Sequence, residues 1–169
     1  SSSTRKEYTN SRSIFDRGRD PLKKFKVWYK EAERKVSEPN AFTLSTSYKN
    51  KPSSRVMLLK ELDNELIFFT NKISRKGKDI SSNKYASMVF WWKEINKQVR
   101  IEGYVKKVSD KDADEYFSTR SRESQIAAWA SNQSSVVKNR KTLIKRFKII
   151  EKRFEKKDIL RPSFWSGYE

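Results

Sequence analysis

Five segments rich in β-branched and aromatic residues follow one another through the middle of the chain. They span residues 41–47, 54–62, 65–70, 85–92 and 97–108, and turn-like stretches such as YKNKPS, DN and KEIN separate most of them. Connections this short join antiparallel neighbours, because parallel strands need a longer crossover. Only the stretch SRKGKDISSN, between the third and fourth segments, is long enough for a short helix. The spacing predicts a five-stranded antiparallel sheet or barrel.

Helical patterns lie on both sides of the strand region. Asp20 is placed to cap a first helix with Pro21 at its first position, and Ser109 to cap another with Asp112 in the capping-box position. Residues 122–130 and 135–155 are predicted as a short and a long helix. The apolar residues of the first helix recur at helical spacing: Leu22, Phe25, Trp28, Tyr29, Ala32 and Val36. Those of the long helix are Val136, Leu143, Ile144, Phe147, Ile150 and Phe154. Helices around antiparallel strands indicate an α+β fold.

The chain divides into a polar arm and one folded domain. Residues 1–19 have almost no apolar periodicity and are predicted to form a mobile arm, whereas residues 20–169 are of single-domain size. No apolar run approaches the roughly 20 residues that span a bilayer, and the polar beginning does not resemble a signal peptide. We expect a soluble, cytoplasmic protein that has no contact with a membrane.

Composition narrows the chemistry. The sequence contains no Cys and no His, so disulfides, thiolate metal sites and the commonest general base are excluded and no metal site is predicted. The net charge of +18 would attract any polyanion, which makes a basic nucleic-acid-binding module one alternative. Lys and Arg are nevertheless spread along the whole chain rather than gathered in one arm. We therefore interpret the charge as favouring solubility and phosphate attraction, and we expect no nucleic-acid partner.

Three separated clusters have the composition of phosphate sites. The segment at residues 116–135 combines Arg, Tyr, Ser and Gln. The other two clusters are basic, namely SRKGKD at 74–79 and SSRVMLLK at 53–60. Arg offers a planar charged fork to a phosphate, while Tyr and Ser add neutral donors. A solvated, charged helix surface is the alternative interpretation of the first segment. Three clusters in one small chain suggest two phosphorylated ligands.

Longer blocks of sequence carry a specific resemblance. The stretches at residues 5–32, 53–63, 68–83, 97–109, 116–136 and 161–169 resemble successive blocks of the pyridoxine/pyridoxamine 5′-phosphate oxidase family, in the family's order and near its spacing. The resemblance implies a mainly antiparallel split β-barrel flanked by helices, of the type that binds flavin mononucleotide (FMN). It also implies a homodimer with FMN at the subunit interface.

The resemblance assigns residues to the FMN site. Arg55 is matched to the flavin phosphate, on a strand whose alternation sends Arg55, Met57 and Leu59 to one face and Val56, Leu58 and Lys60 to the other. Arg75 and Lys76 are matched to the same phosphate. Ordinary surface charge is the alternative for these cations, and core packing is the alternative for Phe69. The full set is Arg55, Val56, Met57, Leu58, Leu59, Lys60, Phe69, Thr70, Arg75, Lys76, Gln98, Gln133 and Ser134.

A second set is matched to the phosphate of a B6 vitamer. It comprises Lys60, Tyr116, Arg120 and Ser124, together with Arg5 and Tyr8 from the arm, which the resemblance implies as a lid over the substrate. Tyr116, Arg120 and Ser124 are four residues apart, so they would share one face of a continuous helix. The alternative for the arm is a disordered terminus.

The activity implied is oxidation of pyridoxine or pyridoxamine 5′-phosphate to pyridoxal 5′-phosphate, in which FMN accepts a hydride and O₂ is reduced to H₂O₂. The protein would supply orientation and charge neutralisation, and no catalytic side chain is assigned. In the family a further block carries an Arg and a His beside the substrate, and the sequence here ends at Glu169. We therefore expect vitamer binding with slow turnover. A split-barrel protein that binds FMN or pyridoxal phosphate without oxidase activity is the second alternative.

Overall fold

The computed structural model describes residues 20–60 and 65–169. Its fold is α+β, a split barrel of antiparallel strands flanked by helices. The helices are α1 (Pro21–Lys35), α2 (Arg75–Ser82), α3 (Asp110–Thr119), α4 (Arg122–Ala130) and α5 (Arg140–Arg153). The strands are β1 (Ala41–Tyr48), β2 (Lys51–Leu58), β3 (Phe68–Asn71), β4 (Tyr85–Trp92), β5 (Lys97–Tyr104) and β6 (Trp165–Tyr168).

The barrel consists of a four-stranded sheet and a two-stranded one. The larger sheet has the order β2-β1-β4-β5, and the smaller pairs β3 with β6, all antiparallel. Backbone hydrogen bonds join them at both edges. Lys106 and Glu169 exchange two bonds of 2.9 Å beyond the end of β5, and Lys60 N donates to Ile67 O (2.8 Å) beyond the end of β2. The split barrel predicted from the sequence is therefore confirmed.

The strand boundaries differ from the predicted ones where the chain changes sheet. β4 matches its prediction, but β2 ends at Leu58 and β5 at Tyr104, four residues before the predicted ends of each. Val105 N still bonds to Lys84 O (2.8 Å), next to β4, whereas from Lys106 onward the chain bonds to the β6 segment. β3 pairs with β6 and not with the larger sheet, and β6 itself was not predicted. Four residues with a Gly among them give no two-residue alternation that a sequence pattern could detect.

Helix α1 lies over one end of the barrel as its pattern predicts. Asp20 Oδ1 accepts hydrogen bonds from Leu22 N (3.0 Å) and Lys23 N (3.1 Å), which satisfies two free amides of the first turn. Phe25 and Ala32 are buried, and the Phe25 ring lies 5.2 Å from Phe90 in the barrel core. Burial of this apolar face holds the helix against the sheet.

The later helices begin and end at side-chain caps. Ser109 and Ser121 cap α3 and α4 as hydroxyl acceptors, so α3 and α4 are two helices separated at Arg120 and not one. α5 starts at Arg140, where Asn139 accepts from Thr142 N (2.9 Å), five residues after its predicted start. Val136 therefore lies outside the helix and is fully exposed, contrary to the prediction. Phe147, Ile150 and Phe154 pack, as predicted, on a core cluster that consists of Phe117, Ile126, Ile159 and Trp165. Leu143 and Ile144 are exposed.

Among the described residues, no helix is both long and apolar enough to cross a membrane.

Gly77 in α2 lies in close contact with the backbone that follows β3. A Cβ on Gly77 would lie 2.3 Å from Lys72 O and 2.7 Å from Asn71 O, both of which are main-chain atoms that cannot rotate away. The first turn of α2 is thus pressed directly against the end of β3.

We predict that Gly77→Ala lowers the free energy of unfolding by about 2–4 kcal/mol, since overpacking against fixed backbone outweighs the roughly 1 kcal/mol that Ala gains in helix propensity. Gly103→Ala is the matched control, because a Cβ there meets nothing within 4 Å. Denaturant unfolding of both variants tests this. Equal stability of the two variants would contradict the close approach of α2 to β3.

Candidate functional site

Arg55 lies in a polar cluster at one end of the larger sheet. Its guanidinium donates to Thr46 Oγ1 (2.7 Å), Ser53 Oγ (2.9 Å) and Leu44 O (3.3 Å), and it lies 3.7 Å from the carboxylate of Asp79 on α2. Thr46 Oγ1 in turn donates to Asp79 Oδ2 (2.7 Å). These bonds hold the guanidinium in place before any ligand arrives, although burial lowers the pKa of Arg55.

Lys76 stands beside this cluster without a partner. Its side chain is buried, with 6% exposure for the residue, and burial followed by the charge of Arg55 lowers the pKa of the ammonium group. Among the described residues, none hydrogen-bonds or ion-pairs with this ammonium. A buried cation beside a second cation is costly unless an anion joins them. Among the described residues, Asp79 is the one carboxylate that contacts Arg55, at 3.7 Å, and the cations present fit a phosphate dianion such as that of FMN.

The alternation predicted for the β2 region is observed. Arg55, Met57 and Leu59 point inward, and Val56 and Leu58 lie on the outer face of the sheet. Leu59 is fully enclosed by the core and Met57 packs against it, so these two can offer a ligand only their backbone. The alternative of plain surface charge does not describe Arg55, which is hydrogen-bonded and largely buried.

Two neighbouring cavities contain most of the remaining predicted residues. The first, here named the hairpin cavity, has a volume of about 460 Å³ and lies between the β1–β2 turn and α2. Arg75 and Ser134 line it, and Asp79 connects it to the Arg55 cluster. Ser134 has a left-handed backbone (φ 65°), which turns the chain back along the cavity wall. Its lining is Tyr48, Lys51, Ile73, Arg75, Lys78, Asp79, Gln133, Ser134 and Ser135.

The second cavity, here named the Arg120 cavity, has a volume of about 270 Å³. Gln133 lines both cavities and separates them, since its Oε1 accepts from Thr70 Oγ1 (2.9 Å) and from Asn71 N (3.2 Å). The structure thus brings the two predicted sets together around one shared amide. The lining is Lys60, Phe69, Thr70, Asn71, Tyr116, Arg120, Ala127, Ala128, Ser131, Gln133 and Trp165.

Parallel aromatic rings form one wall of the Arg120 cavity. Phe69 stacks on Tyr116 with ring centroids 4.0 Å apart and on Trp165 at 4.9 Å. Gly167 permits this arrangement, because a Cβ there would lie 2.6 Å from the Phe69 ring. Burial raises the pKa of Tyr116, so its hydroxyl remains a neutral donor near neutral pH. Phe69 is therefore both a packing residue and part of the cavity wall.

The guanidinium of Arg120 lies across these rings. Its central carbon is 4.9 Å from the Trp165 ring and 5.6 Å from the Phe117 ring. Its Nη1 is buried, and no atom of the described residues accepts a hydrogen bond from it. Burial lowers the pKa of Arg120, yet an Arg keeps its charge near neutral pH. An orphaned charged donor on a cavity wall is suited to an anionic ligand.

Four further predicted residues either line neither cavity or lie outside the described part of the chain. Ser124 does not share a helical face with Tyr116 and Arg120, because α3 ends at Thr119 and the Ser124 hydroxyl pairs with Ser121 (2.9 Å) in the first turn of α4. Gln98 is exposed on the outer face of the sheet beside Trp91 and lines neither cavity. Arg5 and Tyr8, with the whole predicted arm, lie outside the described residues.

Three residues that line these cavities were not predicted from the sequence, namely Asn71, Asp79 and Trp165. Trp165 lies in a block used for the resemblance, but nothing in its local pattern indicates that it would stack under Arg120. Asp79 follows a basic run and looks like a helix-surface acid, whereas it is buried against Thr46. Each depends on a contact between residues distant in sequence, and no local signal could have found it.

Comparison with known proteins agrees with this geometry. A family model described as pyridoxamine 5′-phosphate oxidase matches residues 29–155. Pyridoxine/pyridoxamine 5′-phosphate oxidase from a Cyanothece strain is 44% identical over 152 residues, covering 88% of this chain and 71% of its relative. The protein of the same name from Pelagibacter ubique is 46% identical over 153 residues, with 88% and 74% covered. The chain belongs to the pyridoxine/pyridoxamine 5′-phosphate oxidase family.

Solved structures support the same fold. PhzG from Burkholderia lata, solved in complex with tetrahydrophenazine-1-carboxylic acid, superimposes with a TM-score of 0.84 at 27% identity, covering 91% of this chain and 77% of PhzG. A pyridoxamine 5′-phosphate oxidase-related, FMN-binding protein from Nostoc punctiforme gives a TM-score of 0.67 at 13% identity, with 88% and 79% covered. The second likeness concerns the fold alone.

Proposed function

We propose that this protein is an FMN-dependent oxidase that converts pyridoxine or pyridoxamine 5′-phosphate to pyridoxal 5′-phosphate. The observation that carries the proposal is the pair of adjoining sites, each with a cation that has no partner among the described residues. Lys76, a residue with 6% exposure, belongs to one, and Arg120, whose Nη1 is a buried atom without a hydrogen bond, belongs to the other. Two phosphorylated ligands side by side are what such an oxidase must hold. Membership of the oxidase family supports the same chemistry.

FMN would bind with its phosphate between Arg55, Lys76 and Arg75, at the start of α2. The free amides of this first turn add to the attraction for an anion. When bound, FMN supplies the redox chemistry, taking a hydride from the 4′ carbon of the vitamer and returning the electrons to O₂ as H₂O₂. The side chains around it bind and orient. Ser134 and Gln133, at the junction of the cavities, would contact the flavin from the hairpin cavity.

The vitamer would place its phosphate in the Arg120 cavity. Arg120 offers the unpaired guanidinium nitrogen, Tyr116 a neutral hydroxyl and Lys60 an ammonium group. The stacked rings beside them exclude water from this wall, which strengthens each charged hydrogen bond. Ser124 is not part of this proposal unless α4 moves, since its hydroxyl is already paired with Ser121. Orientation of the vitamer beside the flavin is the contribution of these residues to the reaction.

Assembly into a homodimer is a further part of the proposal. The outer face of the four-stranded sheet exposes apolar side chains that a monomer would leave in water, among them Val56 at 69% and Trp91 at 50% exposure. Tyr85 and Tyr104 lie on the same face, opposite each other across β4 and β5. Gln98 shares this face, so a second subunit would also bring it near a flavin at the interface. A contiguous exposed apolar surface of this kind is typical of interfaces.

The FMN site is tested by the double substitution Arg75→Ala/Lys76→Ala. We expect FMN affinity to fall roughly 100-fold or more, because each charged hydrogen bond to phosphate contributes about 1.5–3 kcal/mol. Quenching of flavin fluorescence on titration with apoprotein measures this. Lys23→Ala/Lys30→Ala, on the exposed side of α1, removes the same charge and should leave the affinity unchanged. An equal loss of FMN affinity in both variants would show that net charge alone accounts for binding.

The vitamer site is tested by Arg120→Ala in the FMN-loaded protein. Pyridoxal 5′-phosphate should lose about 3 kcal/mol of binding free energy, since a guanidinium that faces a phosphate is removed. FMN should stay bound, because its phosphate lies in the other cluster. Pyridoxal without phosphate is the matched ligand and should bind both proteins alike. Loss of FMN together with the vitamer would contradict two separate phosphate sites.

The dimer is tested by a pair of valines with similar exposure. Val56→Glu places a charge on the outer sheet face and should shift the protein from dimer to monomer in sedimentation velocity, because an unpaired buried charge opposes association. Val27→Glu, on α1 at 65% exposure, should leave the mass unchanged. We expect a wild-type interface above about 2,000 Å² in total. A monomeric wild type with stoichiometric FMN would refute the shared site.

A further inference from the structure

Arg161 occupies a buried position behind the Arg120 cavity, on the segment that leads into β6. Its side chain is only 8% exposed, and every part of its guanidinium is engaged. Nε donates to Asp114 Oδ1 (2.6 Å), Nη2 to Asp110 Oδ1 (3.1 Å), and Nη1 to the main-chain carbonyl of Trp165 (2.6 Å). One planar group thus joins two acids of α3 to the first residue of β6.

The two elements that Arg161 joins carry the vitamer-phosphate residues. α3 presents Tyr116 and is followed directly by Arg120, while β6 presents the Trp165 ring on which Arg120 lies. Val108, which precedes the Ser109 cap of α3, donates its backbone N–H to Gly167 O (3.2 Å) of β6. Within the described part of the chain, Arg161 adds the side-chain hydrogen bonds that link the helix itself to β6. The remaining contacts there are ring packing of Tyr116 and Phe117 on Trp165. Ring packing alone permits sliding, whereas a three-point guanidinium link fixes distance and angle.

The two arginines on either side of Trp165 differ in a way that indicates separate roles. Each of the three guanidinium nitrogens of Arg161 donates a hydrogen bond to protein, and Nη1 contacts the Trp165 backbone. Arg120 contacts the Trp165 ring and keeps a buried nitrogen free. The partners of Arg161, Asp110 and Asp114, are themselves mostly exposed, so the arrangement is not a buried ion pair that core stability requires. Its consequence is the position of the Trp165 ring beneath Arg120.

We propose that Arg161 is a positioning residue for phosphate recognition, holding Trp165 so that the free nitrogen of Arg120 points into the cavity. This inference rests on the proposed function, in which that cavity binds the phosphate of the vitamer. Arg161 does not contact the ligand and acts through Trp165. A displacement of about 1 Å at a charged binding group can cost one to two orders of magnitude. The expected signature is therefore selective loss of affinity for phosphorylated ligands.

The experiment compares pyridoxal 5′-phosphate with pyridoxal on the full FMN-loaded chain by equilibrium dialysis. Arg161→Met should weaken binding of the phosphorylated ligand about tenfold or more and leave pyridoxal and FMN affinities unchanged. Arg122→Met is the matched control, because Arg122 likewise binds main-chain carbonyls, those of Phe154 and Lys157, but away from Trp165. It should keep the phosphate preference of the wild type. Arg161→Lys, which retains the charge without the planar fork, should recover only part of the loss.

Two further variants separate positioning from general loss of structure. The double substitution Asp110→Asn/Asp114→Asn removes charge at exposed sites, so this variant should fold normally. It should also lose affinity selectively for the phosphorylated ligand, but by a smaller factor than Arg161→Met. In an Arg120→Ala background, Arg161→Met should cause no additional loss, as a double-mutant cycle requires of residues acting through one another. Unchanged phosphate preference in a folded Arg161→Met protein, or full additivity in the cycle, would overturn the inference. Absence of phosphate preference in the wild type would instead refute the proposed function.

Discussion

The pairing of β3 with β6 is the contact on which the rest of this structure depends. Four residues near the beginning of the fold, Phe68–Asn71, align with four at its end, Trp165–Tyr168. This pairing completes the barrel, because β6 also bonds to Lys106 and Val108 beyond β5. It sets Trp165 beside Phe69 and requires Gly167 to leave room for that ring. The wall of the Arg120 cavity exists only because these distant segments meet.

A second constraint is whether each buried cation has hydrogen-bond partners within the protein. Arg55 and Arg161 each donate three hydrogen bonds to protein groups. Each of them is associated with a second cation that has no such partner. Lys76 lies next to Arg55, and Arg120 lies on the tryptophan that Arg161 holds. A satisfied charge is fixed in place, and an unsatisfied one has free energy to gain from an anion. Two such pairs, on either side of Gln133, form what we propose to be two adjoining anion sites.

Much of the local structure could be predicted from the sequence. The Asp20 cap, the buried face of α1 and the limits of β4 and α4 follow from patterns a few residues long, and the structure agrees with them. The alternation of Arg55 and Val56 was also predictable, since it depends only on the strand period. Predictions were wrong where the chain departs from its local pattern. The helix containing Tyr116 stops before Ser124, and β5 leaves its sheet at Val105 to meet β6.

By itself, the sequence determined the class of fold, because turn lengths and caps are local features, and its blocks of resemblance determined the family. Its cationic clusters led to the prediction of phosphate binding. Only the tertiary structure decided which cations remain unpaired. Arg120 and Arg161 are both arginines in polar surroundings along the chain, and nothing nearby distinguishes them. Their difference arises when α3 packs against β6: Arg161 then reaches two carboxylates and a carbonyl, while the nearest surfaces to Arg120 are aromatic rings that accept no full hydrogen bond. Burial without a partner depends on residues far apart in sequence, and folding alone brings them together.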